Sequence, residues 1–224
     1  MTTETLFCIG STLAALVNVE GVYGFTPHVL PDARVALTGQ VRRRSLSGKG
    51  RADGFVNGVL RADFMTQTQL DAFMLAQFSG YETQAVQRYM VLIDERGRYI
   101  SYLGYIEKPA FTVTNSEYLR NPEFALAALT VQSVTKTSNA TLTSSERYVK
   151  GNTGSGNVTL TLPAASALQV DTPITIEKIA SANTLTIQRG GSDTVNGGTS
   201  SIARTANDSY YTLVSDGVSN WVTI

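Results

Sequence analysis

The chain has 224 residues, and its 18 basic side chains are balanced by 18 acidic ones. This length suits one large β domain or two modest ones, and the balanced charge excludes a global field that would draw the chain to nucleic acid or an anionic membrane. A single cysteine, Cys8, excludes intramolecular disulfides, and together with the single histidine, His28, it cannot build a histidine- or thiolate-based metal site. The apolar stretch 6–17 follows Glu4 and is too short to cross a bilayer, so we expect neither a signal peptide nor a transmembrane helix.

The first 37 residues predict strands without defining where the strands begin and end. Valines and aromatic residues between 17 and 25 are typical of short strand pieces, and residues 33–37 form another. The dipeptides Thr26-Pro27 and Leu30-Pro31 are expected to interrupt these pieces, because proline cannot donate to a strand ladder.

Residues 38–54 change in character, with four glycines, two serines and five basic residues. A loop of this length inside a compact domain is usually functional or becomes ordered on binding. One hypothesis is an arm that reaches a partner through arginine–carboxylate contacts, and the other is a solvated hairpin tip. The residues that would make such contacts are basic, namely Arg42, Arg43, Arg44, Lys49 and Arg51.

Residues 66–79 predict the one clear helix of the chain. Thr66 and Gln69 have the spacing of a capping box, in which each side chain bonds to the backbone N–H of the other residue. Met65 and Leu70 are placed to form a hydrophobic staple, and apolar residues then recur at steps of three and four. Gly80 is predicted to end the helix in the left-handed conformation.

Residues 55–64 predict a strand before this helix, and residues 86–106 predict a hairpin after it, with a type I turn from Asp94 to Gly97. Both faces of the first hairpin strand are apolar, with Tyr89, Val91 and Ile93 on one and Met90 and Leu92 on the other. In an antiparallel pair with one solvent-exposed face, apolar and polar residues would alternate strictly along each strand. We therefore expect the second face to be covered by the helix, a second sheet or a neighbouring subunit.

Three further segments follow the hairpin. Residues 109–114 predict a short strand and residues 115–122 a polar connection. Residues 124–131 predict a strand rather than an alanine-rich helix, because Thr130 and Val131 continue a strand pattern.

A polar linker, 133–139, is predicted to separate a first domain, 1–132, from a second, 140–224. The second domain has short alternating segments such as 174–177, with glycine- or asparagine-rich turns between them, which is typical of a small all-β module. Trp221 is predicted to anchor its core. Three glycosylation-type triplets are interpreted as chance, those of Asn139, Asn157 and Asn207.

Residues that would carry chemistry are not grouped in any recognisable motif. The glycines of 151–156 have the wrong spacing for a dinucleotide loop, and Gly48-Lys49 lacks the first glycine and the hydroxyl residue of a phosphate loop. We expect no enzyme activity, no cofactor and no metal.

The order of these elements resembles the tail tube (major tail) protein of long-tailed, siphovirus-type bacteriophages over residues 17–132. The resemblance rests on the basic loop, the strand 55–64, the helix start Met65-Thr66-Gln67-Thr68-Gln69-Leu70 and the hairpin segment Tyr102-Leu103-Gly104-Tyr105, followed by 115–118 and a final strand. The second domain is similar to small β modules appended to phage virion proteins. Its matching segments are 159–163, 174–178, 183–187, 193–197 and 214–217 with Trp221.

The resemblance implies a mainly β protein with an N-terminal tail-tube-like β-sandwich or barrel, one helix and a small C-terminal all-β domain. It implies a structural virion protein, made in the host cytoplasm, whose hexameric rings stack into the tail tube. Its partners would be itself, other tail proteins and DNA that passes through the lumen without sequence-specific binding, with no membrane insertion. The loop 40–53 would reach the next ring, and the C-terminal module would decorate the outside.

Two alternatives remain open from the sequence. One is a distal tail or baseplate ring protein that uses a related fold. The other is a virion adhesin that binds host surface glycans through the C-terminal module, with Tyr210, Tyr211 and Trp221 as candidate aromatic contacts.

Overall fold

The computed structural model describes residues 7–31, 41–44, 50–53, 56–62, 64–80, 83–93, 97–109, 118–120 and 122–224. These residues form mainly β structure, as the sequence predicts. The helices are α1 (Val19–Tyr23) and α2 (Gln67–Phe78), with a short 3-10 turn at Ala165–Ala167. The strands are β1 (Cys8–Gly10), β2 (Val17–Asn18), β3 (Pro27–Pro31), β4 (Val41–Arg44), β5 (Gly50–Asp53), β6 (Val56–Ala62), β7 (Phe64–Thr66), β8 (Ala85–Ile93), β9 (Tyr99–Glu107), β10 (Tyr118–Arg120), β11 (Glu123–Val131), β12 (Val134–Lys136), β13 (Ala140–Thr141), β14 (Tyr148–Gly151), β15 (Val158–Thr161), β16 (Thr172–Lys178), β17 (Leu185–Gln188), β18 (Thr194–Val195), β19 (Ile202–Arg204), β20 (Tyr210–Ser215) and β21 (Asn220–Thr223).

The strands form three larger sheets and two strand pairs. The larger sheets have the orders β2-β1-β8-β9-β11-β6-β3, β12-β14-β16-β20-β21-β18 and β13-β15-β17-β19, and the pairs are β10-β7 and β4-β5. The chain divides into two compact units. The first comprises Met1–Val22, Tyr89–Tyr102 and Val131–Ile224, and the second comprises Tyr23–Arg88 and Leu103–Thr130. This division follows packing rather than chain order, and the predicted succession of domains 1–132 and 140–224 stays a prediction.

Helix α2, in the second unit, begins as the sequence predicts. The Gln69 N–H donates to Thr66 Oγ1 at 3.2 Å and the Thr66 N–H donates to Gln69 Oε1 at 2.8 Å, so both halves of the capping box are present. The predicted end is wrong by one position, because Ser79 takes the left-handed conformation with φ of 58°. Gly80 follows with φ of 109°, and its N–H donates to the Met74 carbonyl oxygen at 3.1 Å.

An aromatic cluster joins α2 to the sheet of the second unit. The Phe73 ring is fully buried and contacts the rings of Tyr23, Phe25 and Phe124 edge to face, at 5.2, 5.6 and 5.1 Å between centroids. Edge-to-face pairs place the positive edge of one ring against the negative face of another, which stabilises them beyond their buried area. Because Phe124 lies in β11, the apolar face of α2 covers one face of this strand.

A buried amide closes the other end of α2. Gln77 Nε2 donates to the Tyr23 hydroxyl at 2.8 Å, and Gln77 Oε1 accepts from Arg88 Nε at 3.1 Å. Arg88 also donates to the Gln77 carbonyl oxygen. Burial lowers the pKa of Arg88. These bonds satisfy the polar atoms of a side chain that is 5% exposed, which avoids the cost of burying an unpaired amide.

A bulge in β11 explains the glycine in β9. The register of β11 against β6 shifts between Leu126 and Leu129, and Ala128 takes φ of 54°. A Cβ added to Gly104 would lie 2.5 Å from Leu129 Cδ2 and 3.0 Å from the Ala127 carbonyl oxygen. The bulge brings this backbone so close that only glycine fits. Residues 123–131 are a strand, as predicted.

Several predictions for the N-terminal half are wrong in detail. A helix, α1, replaces the expected strand at 19–23, and the Asn18 side chain accepts the Glu20 N–H at 3.0 Å at its start. Strand β3 runs between the two prolines that were expected to break it, because an edge strand tolerates proline. The predicted polar connection 115–122 contains β10, which pairs with β7. The predicted strand 33–37, the turn residues 94–96 and most of the predicted strand 109–114 lie outside the described residues.

In the first unit, part of the hairpin is buried on both faces, as the two-faced apolar pattern predicts, whereas Tyr89 is half-buried and Ile93 is 40% exposed. Met90, Val91 and Leu92 of β8 are buried, and so are all four residues 99–102 of β9. The cover on the Val91 face comes from this chain itself, through Cys8 and Leu16 with Leu13 alongside. The N-terminal segment therefore covers this face at Val91.

The C-terminal part of the first unit is a β-solenoid. From β12 to β17 the chain alternates between the six-stranded and the four-stranded sheet, and successive strands within each sheet are parallel. The same offset of 27 residues separates Tyr148 from its partner Thr175 and Val158 from its partner Leu185. Strand β12 lies within the predicted linker 133–139.

Two asparagine side chains form hydrogen bonds between successive coils of the solenoid. Asn139 Oδ1 accepts the Thr159 N–H at 2.7 Å, and Asn157 Oδ1 accepts the Thr184 N–H at 2.9 Å. These asparagines belong to the glycosylation-type triplets, and their side chains have a structural role. Trp221 is fully buried in the solenoid core, as predicted.

Replacing Phe73 with alanine should remove the centre of the aromatic cluster in the second unit. We expect Phe73→Ala to lower the free energy of unfolding by about 3–5 kcal/mol, the range for a buried phenylalanine. Denaturant unfolding monitored by circular dichroism measures this change. Leu75→Ala is the matched control on the same helix, since Leu75 is 70% exposed and should change stability by no more than about 0.5 kcal/mol. Equal effects of the two variants would contradict the assigned core.

Candidate assembly interface

The basic loop singled out in the sequence is a β-hairpin in its described part. Strand β4 pairs antiparallel with β5, and among the described residues neither strand pairs with another. The register places Arg42 opposite Ala52, Arg43 opposite Arg51 and Arg44 opposite Gly50. Lys49 lies outside the described residues. The structure thus brings four of the five predicted contact residues into one two-stranded sheet.

The sheet of the second unit has one covered face and one open face. Leu60, Phe124 and Leu126 are buried on the face that α2 covers. The alternate residues are half-buried or exposed and form the open face, with Val59, Arg61, Tyr105, Glu107, Glu123 and Ala125. Arg61 Nη2 lies 3.2 Å from Glu123 Oε1, at positions that face each other in the register.

Strand β3 at the edge of this sheet is poorly suited to accept another strand. Pro27 and Pro31 occupy alternate positions with Val29 between them. Proline is accommodated at an edge with its nitrogen turned away from the neighbouring strand. Among these three positions the outer edge then offers the Val29 N–H as its only donor, beside three carbonyl oxygens. A continuous ladder with a neighbouring copy along β3 would lack the donors of both prolines.

A buried ion pair in the first unit joins the hairpin to the solenoid. Arg98 Nη1 lies 2.6 Å from Glu177 Oε1, and the Tyr148 hydroxyl donates to Glu177 Oε2. The Arg98 guanidinium and the Lys150 ammonium also lie 5.9 and 5.2 Å from the centre of the Tyr148 ring. The alternating pattern of 174–177 predicts a strand but does not predict that Glu177 forms an ion pair. Its partner Arg98 is 79 residues away in the chain.

Arg147 holds the N-terminal segment against the solenoid within the same unit. Its guanidinium is buried, and Nε donates to the Leu13 carbonyl oxygen at 2.9 Å while Nη1 donates to Thr172 Oγ1 at 3.4 Å. Burial lowers the pKa of Arg147 to about 10, so the side chain remains a cation at neutral pH. Burial raises the pKa of the neighbouring Cys8 thiol to about 12, so Cys8 stays protonated and is no nucleophile at neutral pH.

The glycan-binding hypothesis requires exposed aromatic side chains in the C-terminal module, and its three candidates are buried or half-buried. Trp221 is fully buried and offers no surface to a ligand, which corrects its assignment as a candidate contact. The Tyr211 ring is half-buried, and the Arg204 guanidinium lies over it at 3.7 Å. Arg204 lies on the core-facing side of its strand, since it is paired with the buried Leu185, and Tyr211 packs against the core.

Within the part of the chain that the structure describes, no three histidine, cysteine, aspartate or glutamate side chains are grouped so as to hold a metal ion. In the same part of the chain, neither helix has the length and apolar character that crossing a bilayer requires.

Comparison with known proteins gives one weak structural similarity. No family model matches the chain, and no curated protein matches it. Among solved structures the chain is similar to one described as the tail of an empty GTA particle, computed with helical refinement and C6 symmetry. The two are 13% identical with a TM-score of 0.33, over 59% of this chain and 98% of that chain. Chains of one fold superpose better than this score, so the similarity establishes neither the fold nor the function.

Cys8 is expected to be unreactive in the folded protein. At about pH 8 an aromatic disulfide reagent should label it only after denaturant is added, because the folded thiol is buried and protonated. Above its ordinary pKa of about 8.5, the unfolded thiol ionises and the folded one does not, so the unfolded state is favoured as the pH rises toward 12.

The Cys8→Ala variant is the control for this pH dependence. Its free energy of unfolding should fall less than that of the wild type between about pH 8 and pH 10. Rapid labelling of the native wild type, or identical pH profiles of the two proteins, would contradict the buried position of Cys8.

Proposed function

We propose that the chain is a structural virion protein of a phage-type tail, whose rings stack into a tube, and that it is not an enzyme. The observation that carries the proposal is the β4–β5 hairpin, which pairs with no other strand among the described residues. A two-stranded hairpin alone is marginally stable in water. This hairpin also places Arg43 opposite Arg51, and like charges at facing positions are destabilising. A carboxylate-bearing partner would relieve both problems.

A second copy of the chain is a suitable source of those carboxylates. Residues 38–54 hold five of the 18 basic side chains and only one of the 18 acidic ones, Asp53. The remainder of the chain is therefore acidic overall, and a basic hairpin on one copy complements it on another. Arginine forms two parallel hydrogen bonds to a carboxylate, which gives such a contact direction as well as attraction. The hairpin is accordingly the contact between stacked rings.

The open face of the second unit's sheet is the surface that we assign to the lumen. Its Arg61 is paired with Glu123, and Glu107 adds an exposed negative charge. Nonspecific binding of DNA depends on free lysine and arginine that neutralise phosphates. A face whose described cation is paired and whose other charges are negative lets a polyanion pass without holding it. Since the outer edge of β3 offers few hydrogen-bond donors, ring closure depends on side chains more than on a continuous ladder.

Electron microscopy of the purified full-length protein tests the proposal directly. At high protein concentration we expect rings of uniform diameter that stack into tubes with an open channel. Six-fold symmetry in class averages would establish the hexamer. Single rings that never stack would point to a distal tail ring protein instead, and a protein that stays monomeric at all concentrations would overturn the proposal.

Substitution of the arginines of β4 tests the stacking contact. Changing Arg42, Arg43 and Arg44 together to alanine should shorten the tubes and raise the concentration needed to form them, because three cations are removed from the contact. The matched control changes the same residues to lysine, which keeps the charge and loses the two-pronged geometry, so tubes should be longer than those of the alanine variant. Circular dichroism of each variant checks that the fold is kept. Unchanged tube length in the alanine variant would refute the role.

A further inference from the structure

The four-stranded sheet of the solenoid has an outer face of unusual composition. Inward-pointing residues of its strands, such as Leu160 and Leu185, are buried in the core. The alternate residues point outward and are uncharged, namely Thr141, Thr159, Thr161, Thr186, Gln188 and Ala203. Charged residues are absent from these six outward positions of the described sheet. We call this surface the threonine face.

The register arranges these side chains in two straight rows. Thr141 is opposite Thr161, which is opposite Gln188. Thr159 is opposite Thr186, which is opposite Ala203 on β19. Strands lie about 4.8 Å apart, so each row of three residues spans roughly 10 Å and the two rows together span roughly 14 Å. Parallel coils in register therefore produce a regular array of hydroxyl groups.

The hydroxyl groups of the threonine face have no protein partner among the described residues, in contrast to some buried threonines of this unit. On the six-stranded sheet, for example, the Thr175 and Thr212 hydroxyls are buried and bond to each other at 2.9 Å. The backbone beneath the face is fixed, because the Asn139 and Asn157 side chains accept the Thr159 and Thr184 N–H groups. The face thus offers free hydrogen-bonding groups on a rigid support, which keeps the entropic cost of binding low.

The chemistry of this face selects among classes of ligand. Without cations it does not attract nucleic acid or anionic lipid. Protein interfaces are enriched in aromatic residues, methionine and arginine, and threonine is rare among the residues that dominate their binding energy. A ligand rich in hydroxyl groups, without charge and extended enough to follow a row, complements the face in both charge and hydrogen bonding. We propose that the threonine face binds an extended, neutral polysaccharide.

The absence of an aromatic ring among the six residues implies weak binding by one copy. Many copies held together bind a polymer far more tightly than one, because each further contact is intramolecular. The experiment therefore couples the full-length protein densely to beads, which supplies this avidity whether or not the protein forms tubes. The probes are soluble cellulose and chitin oligosaccharides, which are neutral and extended, and an anionic oligosaccharide of alginate for comparison.

The beads should retain a neutral probe and not the alginate probe. Thr159→Glu and Thr186→Glu place a charge at the end and in the centre of one row, and each should reduce retention about tenfold, which corresponds to about 1.4 kcal/mol. Thr135→Glu is the matched control, since Thr135 is an exposed strand threonine of the other sheet and its variant should bind like the wild type. Thermal unfolding of each variant verifies the fold.

Failure of the wild type to retain either neutral probe would overturn the proposal, and so would equal retention by Thr159→Glu, Thr186→Glu and the wild type. Preferential retention of alginate would also overturn it. A change in oligomeric state of the two face variants, with no change in probe binding, would identify the face as a contact between copies and reject the polysaccharide. Since the readout is binding to beads, these outcomes are independent of whether the protein assembles into tubes.

Discussion

Two strands that are apolar on both faces must be covered on both, and this constraint governs the first unit. Met90, Val91 and Leu92 are consecutive and buried, so no face of β8 can meet water at this level. The N-terminal segment supplies the cover on the Val91 side, with Leu16 in the cluster. It can fold back tightly only because Gly10 has no side chain, since a Cβ there would lie 2.4 Å from the Ala15 carbonyl oxygen. A segment with few regular elements is therefore essential to the packing.

Buried charges then fix the covering segments in place. Glu177 is paired with Arg98, Arg147 binds the Leu13 carbonyl oxygen, and Lys178 donates to the carbonyl oxygens of Ala180 and Ala182. Removing one partner of such a contact leaves an uncompensated charge in the interior, which is much more costly than the contact is favourable. The contacts thus select one packing arrangement of these segments, and they add less to the net free energy of folding. They also mean that this side of the solenoid is occupied, whereas its threonine face is open.

The parts of this fold that the sequence predicts are those whose signals are local. The capping box of α2 lies within four residues, and Thr130 and Val131 at the end of 124–131 favour a strand over a helix. The solenoid could not be predicted in this way, because alternation does not distinguish parallel from antiparallel neighbours and the paired strands are 27 residues apart. The pair of Arg98 and Glu177 is separated further still. For the candidate interface, the sequence identifies the basic residues, and only the register reveals that Arg43 faces Arg51.

The 27-residue offset shared by two pairs of solenoid strands, β14 with β16 and β15 with β17, has an evolutionary consequence. In stacked coils each layer contacts only the layers above and below it, so stability is close to a sum over neighbouring layers. A tandem duplication or excision of one 27-residue layer between Tyr148 and Thr175 would preserve the pairing on either side of it. Descendants of this chain could thus acquire a solenoid with more or fewer layers by simple recombination.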